Sequence, residues 1–250
     1  MSGHSKWSSI KHQKGVVDAR RGQLFTKLAR EITVAAREGG VDPGMNFRLR
    51  LAVQRGRDAN MPLENVDRAI KRAAGLGEGG QLEEIFYEGY GPGGAAIMLQ
   101  VLTDNRNRTA SEVRNVFSRS GGNLGESGCV AWMFSNKGVL ALEAESEEQA
   151  EDIALAAIEA GAEDFKQDGT YLEVFSKPAD FEALQQTLNG QGLKITLAEI
   201  SMVPSASVAV EDRIAERNLR LIDKLEELDD VQKVYTNADF PDAILEAFQS

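Results

Sequence analysis

The chain is poor in the residues that do most enzyme chemistry. Among 250 residues there is one cysteine, Cys129, and there are two histidines, His4 and His12. A single thiol forms no internal disulfide, which fits a reducing compartment such as the cytoplasm. Cys129 stands in the apolar run CVAWMF and reads as a buried, inert thiol. The two histidines have neither cysteine nor clustered carboxylates beside them, whereas a structural metal site takes about four ligands, so no metal is expected. No apolar run approaches the ~20 residues of a membrane span. The opening MSGHSKWSSIKHQKG lacks the apolar stretch of a secretory signal, so none is expected there. G-x-S-x-G, H-E-x-x-H and Walker patterns are also missing. The expectation is therefore no catalytic residue, no cofactor, no membrane and no small-molecule substrate.

What the chain does have is segregated charge. Residues 1–75 hold 15 Lys and Arg against 7 Asp and Glu, a net of +8. Residues 76–250 hold 13 against 32, a net of −19, so the whole-chain value of −11 conceals a basic module on an acidic body. Such an end can neutralise phosphates while the remainder repels them.

Periodicity divides the chain further. Val16–Glu38 is helical, with Val17, Leu24, Leu28, Ile32 and Ala35 on one face and Arg20, Lys27, Arg30 and Arg37 roughly opposite. Helices over 46–59 and from about 60 to 74 complete a small bundle, and GLGEGGQ at 75–81 reads as a linker. Strands follow at 83–89 and 95–103, joined by a turn at GYGPGG, then a helix from Thr109, capped by a Thr109/Glu112 box, and a strand over 128–135. Residues 136–204 read β-α-β-β-α-β, with a hairpin at Asp168-Gly169, which is the ferredoxin-like order. A helix over 210–228, a strand over 231–236 and a short helix over 242–248 end the chain. The expected class is α+β: a basic helical domain (1–75), a discontinuous α+β domain (82–135 plus 205–240), and a ferredoxin-like domain (136–204) inserted into it.

Two segments are candidates for ligand contact. Lys6, Lys11, Lys14, Arg20, Arg21, Lys27 and Arg30 fall within 25 residues, with Trp7 and His12 interleaved. Cations for phosphate and an indole for stacking suit nucleic acid, whereas the plainer reading is a solvated helix face with a tail. The second is Thr103–Thr109, where Arg106 and Arg108 stand beside a helix N-terminus. It reads equally as an anion site or as a loop in which Asp104 and Asn105 cap the helix while both arginines pair with acids. The ferredoxin-like unit lacks the basic-aromatic strand motif of RNA-binding sheets, and residues 136–250 carry 9 basic against 25 acidic residues. Its acidic helix is a solvated face or a surface for a basic protein.

Several motifs then point to a family. GHSKW (3–7), IKH (10–12), DARRGQLFTKLAREI (18–32), AAREGG (35–40), NMP (60–62), RAIKRAAG (68–75), YEGYGPGG (87–94), DNRNRT (104–109) and GGNLGESG (121–128) resemble the YebC/PmpR family over essentially the whole chain. The resemblance implies an N-terminal helical domain and two α+β domains, one inserted in the other. It also implies either of two functions: a DNA-binding transcriptional regulator at promoters, or a ribosome-associated translation factor that helps proline-rich sequences. The basic residues matching the family's N-terminal motifs are Lys6, Lys11, Arg20, Arg21, Lys27, Arg30, Arg37, Arg48, Arg50, Lys71 and Arg72. The residues thus favour a non-enzymatic nucleic-acid-binding regulator whose partner is promoter DNA or ribosomal RNA. An enzyme acting on a phosphorylated substrate through Asp104, Arg106 and Arg108 is the weaker reading, because nucleophile and base are missing. A factor that only docks on proteins is the third.

Overall fold

In a computed structural model, residues 18–75 and 82–249 are described. They form eight α-helices and ten strands arranged in two compact units. The class is α+β, with a helical bundle and two α+β domains, the ferredoxin-like one inserted in the other.

The helical bundle consists of α1 (Asp18–Gly39), α2 (Phe47–Asp58) and α3 (Leu63–Ala73). Their apolar faces meet in a core of Leu28, Ile32, Ala35, Leu49, Ala52, Val53, Val66 and Ala69. The corner between α1 and α2 is set by one buried side chain. Asn46 caps α2 by accepting from Leu49 N–H at 3.0 Å, and its amide donates to the carbonyls of Ala35 (2.8 Å) and Gly40 (2.7 Å). A Cβ at Gly39 would come within 2.7 Å of that amide, so the glycine is there to let Asn46 in.

The same unit holds an antiparallel sheet of order β3-β1-β2-β9, built from β1 (Glu83–Tyr90), β2 (Ala96–Thr103), β3 (Asn123–Leu124) and β9 (Val231–Thr236). Its strands therefore come from both sides of the insertion. The helices α4 (Arg106–Ser120) and α7 (Asp212–Glu226) pack together, α4 being tied to the sheet by Phe117 against Gly89. The short α8 (Asp242–Gln249) packs on α7.

The other unit spans Trp132–Ala209 and Asn237–Asp239. Here β4 (Phe134–Glu143), α5 (Glu147–Glu159), β5 (Asp164–Asp168), β6 (Tyr171–Ser176), α6 (Phe181–Gly190) and β7 (Ile195–Pro204) form an antiparallel sheet of order β5-β6-β4-β7. That is the ferredoxin-like order. Gly138 lets the Phe181 ring of α6 lie flush on β4, where any Cβ would strike it. A two-residue parallel pair, β8 (Val208–Ala209) with β10 (Ala238–Asp239), completes this unit.

Two local expectations fail. The helix after β2 begins at Arg106, not Thr109, because Asn105 takes the capping position and accepts from Arg108 N–H at 3.1 Å. Thr109 instead lies in the first turns and is buried, its hydroxyl turned inward. The strand expected over 128–135 is absent from 128–133, where Ala131–Met133 form a short 3-10 turn. The N–H groups of Gly128 (2.7 Å), Val130 (2.8 Å) and Ala131 (2.7 Å) point at the buried Glu88 carboxylate, so they are unavailable to a ladder, and β4 starts only at Phe134.

Replacing Asn46 with Ala removes a cap and leaves two backbone carbonyls short of a donor. The expected cost is about 2–3 kcal/mol in urea unfolding at unchanged m-value. A change under ~0.5 kcal/mol would contradict the corner's role.

Candidate nucleic-acid interface

The cationic residues divide by what they touch. Lys6, Trp7, Lys11, His12 and Lys14 lie outside the described residues, and Arg20 is on α1 with its side chain outside them. Part of the α1 face read as opposite to the core, at Lys27 and Arg30, is not open to solvent, whereas Arg37 is exposed. That part meets the end of α7, where the last carbonyls have no partner within that helix and carry partial negative charge. Lys27 Nζ donates to Glu226 O (2.5 Å), Gln23 Nε2 to Glu227 O, and Arg30 to Asp229 O (2.7 Å). A row of basic and amide side chains on α1 thus caps a helix some 200 residues away.

The central contact here is Asp230, whose side chain is 4% exposed. It accepts from Arg30 (2.7 Å), Arg108 (2.8 Å), Thr103 (2.9 Å) and Thr109 (2.5 Å). Its own carbonyl receives Leu102 N–H at 2.9 Å. Burial alone would push the carboxyl up. The hydrogen bonds from Thr109, Arg108 and Thr103, with the Arg30 charge, outweigh burial and hold it at about 2.

Other predicted cations are already engaged by groups of the protein itself. Arg48 bridges Glu38 (2.5 Å) and Glu84 (2.8 Å), which links α2 to β1. Arg50 donates to the carbonyls of Pro43 and Gly44 and lies over the Phe47 ring. Arg106 pairs with Glu83 at 2.7 Å, and Arg108 with Asp104 at 3.0 Å as well as Asp230. Of the two readings of 103–109, the geometry matches the capped loop with paired arginines.

Six cations of the helical domain are exposed among the described residues, Arg21, Arg37, Arg57, Arg68, Lys71 and Arg72; of these Arg68 pairs with Glu64 at 3.0 Å and Arg37 donates to Leu82 O at 3.5 Å. Arg21 is exposed, its guanidinium 5.9 Å from the Phe25 ring centre. Arg57, in the last turn of α2, and Lys71 and Arg72, in the last turn of α3, are exposed and make no ion pair among the described residues. Of these, Arg57 was not among the sequence candidates. Its place in a C-terminal turn beside Arg55, which pairs with Glu31 at 2.8 Å, was the available signal.

A second buried carboxylate was also missed. Burial pushes the Glu88 carboxyl up, but the three N–H donors from Gly128, Val130 and Ala131 outweigh it and lower its pKa. The GGNLGESG segment is therefore organised around an internal anion. Burial, helped by the Glu88 charge, pushes the nearby Cys129 thiol up, which keeps it in the unreactive form. Among the described residues no helix is long and apolar enough to cross a membrane.

Comparison with known proteins gives consistent results. Residues 5–76 match the family described as the TACO1/YebC protein N-terminal domain, and residues 82–238 match the TACO1/YebC second and third domain. A protein of Pelotomaculum thermopropionicum is 54% identical over 243 residues, covering 97% of this chain and 100% of its own. One of Moorella thermoacetica is 55% identical over 248 residues, covering 98% of each. Both bear the name "probable transcriptional regulatory protein". The crystal structure of a conserved hypothetical protein from Aquifex aeolicus superposes with a TM-score of 0.83 at 47% identity, covering 93% of this chain and 96% of that one.

The Asp230 node makes stability depend on acid. Its folded pKa of about 2 lies below the ordinary 3.8, so the stabilisation is present above about pH 4 and is lost as pH falls through 2. The shift corresponds to about 2 kcal/mol. The folded state of Asp230→Asn should be destabilised by about 3 kcal/mol at pH 7, and its stability should fall less than the parent's between pH 5 and 2. Parallel pH profiles would rule out the node as the source.

Proposed function

Because the chain belongs to the TACO1/YebC family, we propose that it is a non-enzymatic, cytoplasmic regulator of gene expression that binds nucleic acid through its basic end, as a DNA-binding transcriptional regulator. The single observation that carries this is the charge division, +8 over residues 1–75 against −19 beyond, on a chain whose helical domain turns Arg21, Arg57, Lys71 and Arg72 outward. The names of the relatives support a regulatory role. In this reading residues 1–75 grip the phosphates. Residues 82–135 with 205–240 and the inserted 136–204 form the acidic body that keeps polyanions away elsewhere.

The grip has two parts. The outward cations sit on helices and present charge at fixed positions. The basic residues of 6–14, with Trp7 among them, add charge and one flat ring for stacking. Lys27, Arg30 and Arg48 act differently: they tie the helical domain to α7, Asp230 and β1, while Arg50 holds the corner before α2, so their loss would weaken binding through the fold. Arg106 and Arg108 are likewise paired with carboxylates of the protein, Arg106 with Glu83 and Arg108 with Asp104 and Asp230.

Binding of duplex DNA should weaken with salt, with a log–log slope of about −4 to −5 for about five phosphate contacts. Lys71→Glu with Arg72→Glu should make the slope shallower by about 2 without lowering the melting temperature. A slope near zero in the parent would remove the phosphate reading. Crosslinking in cells followed by sequencing of the bound nucleic acid identifies the target. Promoter DNA is expected, and recovery of ribosomal RNA alone would replace transcription with a translation role on the ribosome.

A further inference from the structure

The acidic body is not uniformly acidic. Residues 136–250 contain nine Lys and Arg, and four of them, Arg213, Arg217, Arg220 and Lys224, lie on α7 at positions i, i+4, i+7 and i+11. All four are exposed. At about 100° per residue they fall within roughly 60° of one another, on the pole of α7 opposite its buried Ala215, Leu219, Ile222 and Leu225. The acids of this helix do not interleave with them. Asp212, Glu216, Asp223 and Glu227 gather on one flank, leaving a single exposed contact at 3.5 Å between Arg220 and Glu216, of a kind worth little in water.

The other flank of α7 meets α4. Leu221 lies against Gly122, and the Arg217 guanidinium lies over Gly121, where any Cβ would collide with it. Arg119, exposed in the last turn of α4, is two residues away along the chain. At Arg217, one turn after its start at Arg213, the stripe thus gains a cation from a second helix. It ends at Lys224, two residues before Glu226, whose carbonyl receives Lys27 of the helical domain. Between these ends it runs about 16 Å, the span of about five phosphates of one strand.

We propose that this α7 stripe, with Arg119, is a second binding surface for the phosphate backbone of a nucleic acid, continuous with the basic helical domain. The proposal rests on the nucleic-acid reading above and adds to it a contact within the acidic portion of the chain. Local charge decides this, because at physiological salt a charge is screened beyond about 8 Å and the acids of distant elements count for little.

The test uses the full chain and two probes of equal length, a random-sequence duplex DNA and a double-stranded RNA, each titrated from 50 to 200 mM salt. Replacing Arg213, Arg217, Arg220 and Lys224 with Gln should make the log–log slope shallower by about 3 and weaken binding at least tenfold at 100 mM salt, on whichever probe the surface serves. Loss on DNA alone assigns duplex DNA, and loss on RNA alone assigns RNA. As a second variant that keeps every cation, Glu216→Gln with Asp223→Asn should tighten binding two- to fivefold. If the four-Gln protein, still folded by circular dichroism, keeps both slope and affinity on both probes, this surface is overturned while the helical-domain grip stands. If the fourfold variant does not fold, unchanged affinity in the second variant overturns the surface. If the parent binds neither probe, the underlying reading falls and takes this one with it.

Discussion

A buried carboxylate must be fully satisfied or it destabilises the fold by several kcal/mol, and Asp230 is where that demand organises this protein. Two threonine hydroxyls, two arginines and the carbonyl–amide contact to Leu102 converge on one residue. They arrive from the end of β2, the start of α4 and the middle of α1. The residue itself sits in the turn between α7 and β9. A single anion therefore ties together segments separated by more than a hundred residues in sequence. Through Arg30 it also fixes how the basic helical bundle sits on the first sheet. The outward set of cations depends on this, since rotating α1 to free Arg30 would expose its apolar face and strip the end of α7 of its donors.

Glu88 applies the same logic at the other end of β1. Its carboxylate gathers three backbone N–H groups and thereby shapes the 125–131 segment without a regular ladder. The glycines around it complete the arrangement. A Cβ at Gly89 would come within 2.5 Å of the Asn123 carbonyl, and one at Gly122 within 2.6 Å of the Tyr90 carbonyl. Gly89 and Gly122 are thus accounted for by close backbone approach beside the segment that holds this carboxylate. These two glycines mark packing, not chemistry.

This explains why some of the molecule could be read from its sequence and some could not. The ferredoxin-like order, the hairpin at Asp168-Gly169 and the strand Val231–Thr236 were legible because each rests on local alternation and turn chemistry. The cap at Asn105 was harder. Thr109 with Glu112 satisfies the same short-range rule, and only the presence of Asp230, 121 residues further on, turns the Thr109 hydroxyl inward. The strand expected at 128–135 failed for a related reason: nothing within that segment announces that its N–H groups belong to Glu88. The basic face of α1 is the clearest instance. Periodicity separates two faces of a helix, but it does not say whether the polar one meets water or the carbonyls at the end of another helix.

Charge counts by segment carry the same weakness, and it bears on how polyanion binding should be reasoned about here. A tally over residues 1–75 treats Arg30, Arg48 and Arg55 as equal to Lys71 and Arg72, yet the first three already face carboxylates at 2.5–2.8 Å. A guanidinium so paired releases few counterions when a phosphate approaches, because the protein's own carboxylate has already neutralised it. The effective valence of the basic end is therefore smaller than its formal charge. Conversely, a stretch that is acidic on average can present a cationic line wherever a helix sorts its charges by face, as α7 does. What a polyanion meets is set by which side chains the fold leaves unpaired, and in this chain the buried Asp230 and the half-buried Glu84 decide much of that division.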